Sequence, residues 1–281
     1  MTTEETSLTE SLLRRERWIV LGGLIAIALL SWAYILAGAG TGMSVRDMSI
    51  ISLFPHRMGE MPMAGMSMSM HPEAWSPGYF IIVLLMWWAM MIAMMTPSAA
   101  PMVLLYARAT RHTQTTGQLQ QGVVPTAAFA GGYLMVWLGF SVLAAALQWT
   151  LERSGLVSAT MMASTHAVVS AAILFLAGVY QLSPLKHLCL RHCRSPAEFL
   201  SRHWRPGTSG ALRMGLEHGA FCVGCCWVLM ALLFVGGIMN VMWIAALAIL
   251  VLMEKVAPHG AWISRATGVV LLAWSAATLV V

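Results

Sequence analysis

Residues 79–105 read YFIIVLLMWWAMMIAMMTPSAAPMVLL, a run without a single charged side chain. A helix that crosses the hydrocarbon layer of a membrane needs about 20 consecutive apolar residues. This run is longer than that minimum, and the prolines of its Thr96–Pro101 stretch are expected to kink the helix. The stretch therefore predicts a transmembrane helix, and it identifies the whole chain as a candidate membrane protein.

The composition of the whole chain supports the same class. Of its 281 residues, 59% are hydrophobic and only 10% are Asp, Glu, Lys or Arg, whereas a soluble domain carries about 25% charged residues. The net charge of +5 is first explained by unequal loops on the two sides of a membrane, so no nucleic-acid partner is expected. The sequence has no phosphate-binding glycine loop and no nucleophile elbow, which argues against a nucleotide-driven pump and a serine hydrolase.

Apolar runs recur along the chain and predict an all-α, polytopic transmembrane bundle of about seven spans. The predicted spans are Trp18–Ala37, Tyr79–Leu105, Thr126–Gln148, His166–Leu182, Met214–Gly236, Val241–Val256 and Trp262–Val281. The chain is thereby divided into an N-terminal tail (1–17), a first transmembrane anchor (18–37), a Met-rich loop (38–78) and a six-helix membrane core (79–281), which includes a basic segment (183–213).

Basic residues predict the orientation of the bundle. With alternating spans, 13 of the 16 Lys and Arg side chains fall on one side, and only Arg46, Arg57 and Arg153 fall on the other. Basic loops face the cytoplasm, so we predict a multi-pass protein of the inner (plasma) membrane with a cytoplasmic N-terminus. The sequence Ala37-Gly38-Ala39 resembles a signal-cleavage site, and cleavage there would leave six spans.

The predicted fifth span contains an unusual set of potential metal ligands. On a helix His218, Cys222 and Cys226 are spaced i, i+4, i+8 and share one face, with Cys225 and Glu217 beside them. Thiolate and imidazole ligands suit Cu(I) or Zn(II), and ionisable groups inside a membrane usually serve a function. The alternative is that the cysteines only pack, and that Glu217 and His218 lie at the membrane interface.

A second potential ligand set lies in the basic segment, which is predicted to be cytoplasmic. Cys189 and Cys193 are spaced i, i+4, with His187 and His192 close by in sequence. The surrounding Lys and Arg side chains are expected to lower the pKa of both thiols and favour thiolate. The alternative is a basic helix on the membrane surface that holds anionic headgroups.

Methionines form the third and fourth features. In the loop 38–78, predicted to be extracytoplasmic, Met recurs between small residues, and thioethers can bind Cu(I) where thiols would be oxidised. The predicted ligands there are His56, Met61, Met63, Met66, Met68, Met70 and His71. In the second span, Met90 and Met94 belong to a methionine stripe and are predicted to continue the path. The alternatives are a low-complexity linker and simple packing by a flexible side chain.

Charged residues near the end of the sixth span need a separate interpretation. Glu254 and Lys255 are adjacent there, after a long apolar run. Long side chains at a helix end often extend to the membrane surface. We therefore expect an ion pair at the interface, with both side chains extending to the membrane surface.

Several motifs of the membrane core resemble one known family, DUF2182, which consists of predicted metal-binding integral membrane proteins. The motifs are Tyr180–Lys186; Cys189, Cys193, Arg194, Pro196 and Phe199; His203–Arg205; Gly215–Gly219; Cys222–Trp227; Met90–Pro97; Asn240; and Glu254–Lys255. The resemblance covers most of the chain from the second span onward. It implies a metal role for the same His and Cys positions.

These features predict a membrane protein of metal homeostasis that binds a soft ion, with copper favoured over zinc. Its expected role is transport, storage or delivery to a cuproenzyme. Its expected partners are the lipid bilayer, the metal ion, and a periplasmic metallochaperone or cuproenzyme complex. Two alternatives stay open: a membrane oxidoreductase that depends on thiols or metal, and a structural subunit of a membrane complex. A binding role is favoured over an enzymatic one.

Overall fold

A computed structural model describes residues 3–41, 75–115, 123–158 and 162–280. The described residues form helices and connecting turns, with no strand beyond one isolated bridge between Val157 and Ser164. The helices are α1 (Thr3–Leu36), α2 (Pro77–Thr115), α3 (Val123–Arg153), α4 (Ala167–Leu182), α5 (Pro184–Arg194), α6 (Pro196–His203), α7 (Gly207–Ala231), α8 (Leu233–Gly236), α9 (Val241–Val256) and α10 (Gly260–Val280). The predicted all-α class is confirmed.

The number of membrane spans is smaller than predicted when it is judged by length. Five described segments are long and apolar enough to cross a membrane: Arg17–Leu36, Pro77–Thr110, Val124–Arg153, Gly207–Gly236 and Gly260–Val280. A sixth results if α4 and α5, which meet at 64°, count as one broken span. Helices α4 and α9 have 16 residues each and reach about 24 Å, short of the ~30 Å hydrocarbon layer. A count of seven spans is not confirmed.

Glycines allow α3 and α7 to pack with their backbones in close contact. A Cβ atom at Gly132 would meet the carbonyl oxygen of Leu212, and one at Gly215 would meet the carbonyl oxygen of Phe129. Small residues are the usual means by which membrane helices approach each other this closely. The pairing fixes α7, which carries three cysteines, against α3.

A proline ends α4 and starts α5. Pro184 occupies the first turn of α5, and the Ser183 hydroxyl accepts a hydrogen bond from the Lys186 backbone nitrogen at 3.2 Å. Proline is well suited to a helix start, where its missing N–H has no helical partner to lose. The resulting bend turns α5 against α7 instead of extending it away from the bundle. Residues of the basic segment therefore contact the membrane core.

Candidate metal centre

Cys222 lies in the middle of the bundle, with side chains from three other helices around it. Its sulfur accepts a hydrogen bond from Lys255 Nζ of α9 at 2.9 Å and lies 3.1 Å from the Tyr133 hydroxyl of α3. Lys255 Nζ also donates to Ser98 Oγ of α2 at 3.1 Å. Cys222 is 1% exposed, so this thiol is surrounded by protein on all sides.

Four further sulfur atoms lie close to Cys222. Cys225 and Cys226 donate to its carbonyl oxygen at 3.1 and 2.8 Å, as the i+3 and i+4 spacing of a helix allows. Cys193 Sγ of α5 is 3.8 Å from Cys225 Sγ, and Met95 Sδ of α2 is 3.9 Å from Cys226 Sγ. We call Cys193, Cys222, Cys225, Cys226 and Met95 the thiol centre. The two cysteine clusters of the sequence thus form one site.

Cys189 lies at the edge of this centre. A Cβ atom at Gly224 would be 2.9 Å from the Cys189 sulfur, so glycine makes room for the thiol against α7. All five cysteines of the chain are free thiols. The close approach of α5 to α7 therefore depends on side-chain packing rather than on a disulfide.

A buried ion pair holds α5 in place. Lys186 of α5 is fully buried, and its Nζ lies 2.7 Å from Glu254 Oε2 of α9. Gln181 Nε2 donates to Glu254 Oε1 at 2.9 Å, and Arg194 Nη1 donates to the Glu254 carbonyl oxygen at 2.7 Å. Buried charges are tolerated when they are paired and hydrogen-bonded in this way. The network ties both ends of α5 to α9 and α4.

The expectation of an interfacial pair between Glu254 and Lys255 is wrong. Their side chains are 2% and 7% exposed and have different partners, Lys186 and Cys222. Adjacent helical residues point about 100° apart, so they serve two neighbouring sites. The sequence does contain a signal for a functional role of these two residues, which is the Glu-Lys pair after an apolar run. Ionisable groups in a membrane helix usually mark function.

His218 lies one turn before Cys222 in a ring of aromatic side chains. It is 3% exposed, and its ring centroid lies 5.4 Å from Phe199, 5.9 Å from Tyr133 and 6.1 Å from Phe129. Among the residues that the structure describes, Nδ1 of His218 has no hydrogen-bond partner. Buried polar atoms are nearly always paired, so an orphaned imidazole nitrogen fits a ligand position.

The other polar candidates have partners elsewhere. Glu217 forms ion pairs with Arg205 and Arg213 at 3.2 and 3.4 Å. His192 stacks on Phe221 with ring centroids 4.1 Å apart. His187 is half-buried and lies near the charged groups of Arg265 and Lys186. These contacts do not bring Glu217, His187 or His192 into the thiol centre.

The thiols of α5 lie in different surroundings from those expected from the sequence. Cys189 packs against Gly224 of α7, and Cys193 Sγ lies 3.8 Å from Cys225 Sγ. The lowered pKa values expected for these thiols remain a prediction. Several basic side chains of this segment pair with carboxylates, as Arg191 and Arg202 do with Glu198, and Arg194 donates to the backbone carbonyls of Glu254 and Pro258.

The methionine stripe of α2 is buried throughout. Met90 and Met94 are 0% and 1% exposed and pack in the core. The methionine whose sulfur contacts a cysteine is Met95, next to Met94 in the chain. Their predicted role as ligands remains a prediction. The loop candidates His56, Met61, Met63, Met66, Met68, Met70 and His71 lie outside the described residues.

The thiol centre is not a closed polydentate cage. Within residues 3–41, 75–115, 123–158 and 162–280, no three His, Cys, Asp or Glu side chains are arranged to hold a metal ion. The side-chain contacts within and beside it join thiol to thiol, thiol to thioether, and thiol to ammonium. Such pairs match the few soft ligands that Cu(I) requires, and not the four N or S ligands of a structural zinc site.

The membrane core matches one family of known proteins. The family model PpoB2, described as a copper chaperone, matches residues 84–278, more than two thirds of the chain. No curated protein and no solved structure matches the chain. The matched range contains every residue of the thiol centre. The match supports the expected class of membrane protein that handles a metal, whereas the name DUF2182 remains a prediction.

Proposed function

The chain belongs to the PpoB2 family of copper chaperones, and from this premise we propose that it binds Cu(I) at the thiol centre and delivers it to a cuproenzyme. Family membership supports a copper-related function, and the long apolar helices are those of a multi-pass membrane protein. Copper is the cargo in this proposal, and the protein supplies ligands that hold the ion without water.

The contact between Cys193 of α5 and Cys225 of α7 is the main support for this function. Their sulfurs are 3.8 Å apart, close to the spacing at which two thiolates bind one Cu(I) between them, and Cys222 is hydrogen-bonded beside them. Chance packing of a small residue explains one buried cysteine easily. It does not easily explain thiols of two helices that face each other beside a buried lysine and an orphaned imidazole.

We assign distinct roles to the groups of the centre. Cys193 and Cys225 supply two thiolates that hold the ion, and Cys222, Cys226, Met95 and His218 are further soft or borderline ligands to which the ion can move. Lys255 supplies a positive charge next to Cys222, which offsets the excess negative charge of two thiolates around a monovalent ion. Loading replaces thiol protons by copper and does not change the oxidation state of the metal.

Delivery is favoured over storage or transport because the matched family is described as a chaperone. In this proposal the protein lies in the inner membrane with its N-terminus in the cytoplasm. The Met-rich loop 38–78 would exchange copper outside with a periplasmic metallochaperone or a cuproenzyme. The buried stripe of α2, which includes Met90 and Met94 and ends at Met95, would connect that loop to the centre.

The test is an anaerobic Cu(I) titration of the purified full-length protein in detergent, against a chromophoric Cu(I) chelator. We expect stoichiometric binding by the wild type and loss of tight binding in a Cys193→Ser, Cys222→Ser double variant. Met230→Leu changes another buried sulfur of α7 and serves as the control. Unaltered binding by the double variant would overturn the assignment of the centre.

The contact between Cys193 and Cys225 also keeps a second function open, that of a thiol oxidoreductase. Oxidation of the pair would form one S–S bond, release two protons and pass two electrons to an acceptor such as a quinone. Thiol trapping of the copper-free protein distinguishes the two functions. Reversible oxidation of both residues by a quinone, without bound copper, would favour the enzyme.

A further inference from the structure

A surface cavity of about 220 Å³ lies between α5 and α6, outside the thiol centre. Its lining includes two histidines, His192 of α5 and His203 of α6. Neither the thiol centre nor the family match explains why two imidazoles should share one small cavity. The cavity is also next to the centre in the chain, because Cys193 directly follows His192.

The hydrogen bonds of both histidines fix the position of their protons. His192 Nδ1 lies 2.9 Å from the carbonyl oxygen of Leu188, and His203 Nδ1 lies 3.1 Å from that of Phe199. A carbonyl oxygen only accepts hydrogen bonds, so each Nδ1 must carry the proton. In the neutral ring Nε2 then keeps a free lone pair. This arrangement, with Nδ1–H bound to a carbonyl, is typical of histidines that ligate a metal through Nε2.

Aromatic side chains hold both rings in place. The His192 ring stacks on Phe221 with centroids 4.1 Å apart and planes 1° apart. The His203 ring stacks on Phe199 at 4.6 Å and 15°. A ligand that is already oriented loses little conformational freedom when it binds an ion. Stacking thus fixes the orientation of both imidazoles.

The charges around the cavity do not exclude a cation. Arg191 and Arg202 line it, but their side chains are 72% and 71% exposed, and both pair with Glu198 at 3.9 and 3.0 Å. The three groups leave one excess positive charge in contact with water, where salt screens it strongly. A neutral imidazole, unlike a thiol, also does not have to lose a proton before it binds a metal ion.

Phe199 contacts both a histidine of the cavity and the buried His218. Its ring stacks on that of His203 with centroids 4.6 Å apart and meets that of His218 edge to face at 5.4 Å. His218 has the orphaned Nδ1 and stands one helical turn from Cys222. One aromatic ring therefore contacts both a histidine of the surface cavity and the histidine next to the thiol centre.

We propose that His192 and His203 form a surface capture site that takes up Cu(I) before it reaches the thiol centre. The ion binds to the two Nε2 lone pairs and is then passed, past Phe199, to His218 and the thiols. Each transfer exchanges one ligand for another, and no electron is transferred. The capture site rests on the proposed copper function and adds the side from which the ion enters.

The test measures loading rate and equilibrium binding separately. Cu(I) supplied as its bicinchoninate complex is mixed anaerobically with the full-length protein, and the ultraviolet thiolate-to-copper absorption is followed by stopped flow. With one equivalent of Cu(I) supplied, His192→Phe combined with His203→Phe should reach the same copper content at the thiol centre as the wild type, but about tenfold more slowly. His187→Phe alters a histidine of α5 outside the cavity and should load at the wild-type rate.

X-ray absorption provides a second test, which does not depend on the stability of the double phenylalanine variant. In Cys193→Ser, Cys222→Ser protein, X-ray absorption should show residual Cu(I) bound by nitrogen, and His192→Gln with His203→Gln should remove it. Unchanged loading rates, or no nitrogen-bound copper, would overturn the capture site while leaving the thiol centre intact. Absence of any copper bound by the wild type would instead overturn the proposed function itself.

Discussion

The ammonium group of Lys255 lies 2.9 Å from the sulfur of Cys222, in the interior of a helical bundle. A buried ammonium is costly without a partner, and in the described part of the chain Lys255 is paired with this sulfur and with no carboxylate. The second partner of Lys255, the Ser98 hydroxyl, is neutral. The pair is therefore an electrostatic element of the site and not an interfacial ion pair.

Lys255→Met should weaken Cu(I) binding, because it removes the charge that offsets a thiolate-bound copper. Groups that support metal ligands from outside the coordination shell typically contribute about 10- to 100-fold in affinity, and we expect a loss in that range. Competition with a Cu(I) chelator at fixed pH measures it. Lys255→Arg, which keeps the charge, should lose less. Equal affinity of Lys255→Met and wild type would contradict the electrostatic role.

The buried pair between Lys186 and Glu254 should control stability and, through α5, copper affinity. Removing one partner leaves an unpaired buried charge, which costs about 3–5 kcal/mol. Lys186→Met alone should therefore lower the midpoint of thermal unfolding in detergent strongly. Lys186→Met combined with Glu254→Gln leaves no net charge and should regain much of that loss.

The copper affinity of the same variants shows whether the ion pair only stabilises the fold or also positions Cys193. If the pair holds Cys193 against Cys225, the double variant should recover stability more fully than affinity. An affinity equal to wild type in the stable double variant would show that packing alone positions α5. Exposed Arg202→Gln, which breaks a surface pair with Glu198, is the control and should change unfolding by ~1 kcal/mol or less.

Much of the fold and half of the site follow from periodicity and composition. Apolar runs predict the membrane helices, and the i, i+4 spacing predicts that Cys222 and Cys226 share a face of α7. The pairing of α5 with α7 is different in kind. It depends on a bend at Pro184 and on an ion pair between residues 68 positions apart, and local patterns carry no information on such contacts.

The basic segment shows why charge alone misled the sequence interpretation. Its many Lys and Arg residues predict a solvated cytoplasmic connection, and most of them are solvated. Lys186 is the exception, because Glu254 and the Ser183 turn bury it. Only its partner in space distinguishes this lysine from its neighbours, and the same holds for Lys255. Tyr133 and Met95 were missed for a similar reason, since each looks like an ordinary packing residue.

Met95→Leu should affect copper binding more than Met86→Leu, although both residues are fully buried on α2. Met to Leu preserves volume and usually costs less than ~1.5 kcal/mol in stability. Of these two methionines, Met95 is the one whose sulfur contacts a cysteine, at 3.9 Å from Cys226 Sγ. X-ray absorption of the copper-loaded protein should show a change in sulfur scattering for Met95→Leu alone. Identical spectra for both variants would remove Met95 from the ligand set.

Gly215→Ala should damage both the fold and the site, because a methyl group there would meet the backbone carbonyl of Phe129. Backbone cannot move aside as a flexible side chain does, so we expect a cost at or above the ~1–3 kcal/mol typical of overpacking. Gly131→Ala in α3 is the matched control: a Cβ there meets nothing within 4 Å, and alanine favours a helix over glycine by up to ~1 kcal/mol.

The same substitution links the packing of α3 and α7 to the chemistry of Cys222. Pushing α7 away from α3 would lengthen the 3.1 Å contact between Tyr133 Oη and Cys222 Sγ. Copper affinity should therefore fall with thermal stability in Gly215→Ala, while Gly131→Ala retains both. Thermal unfolding in detergent and chelator competition on the two proteins measure the effects. Wild-type stability in Gly215→Ala would mean that the two backbones are not in close contact in the membrane protein.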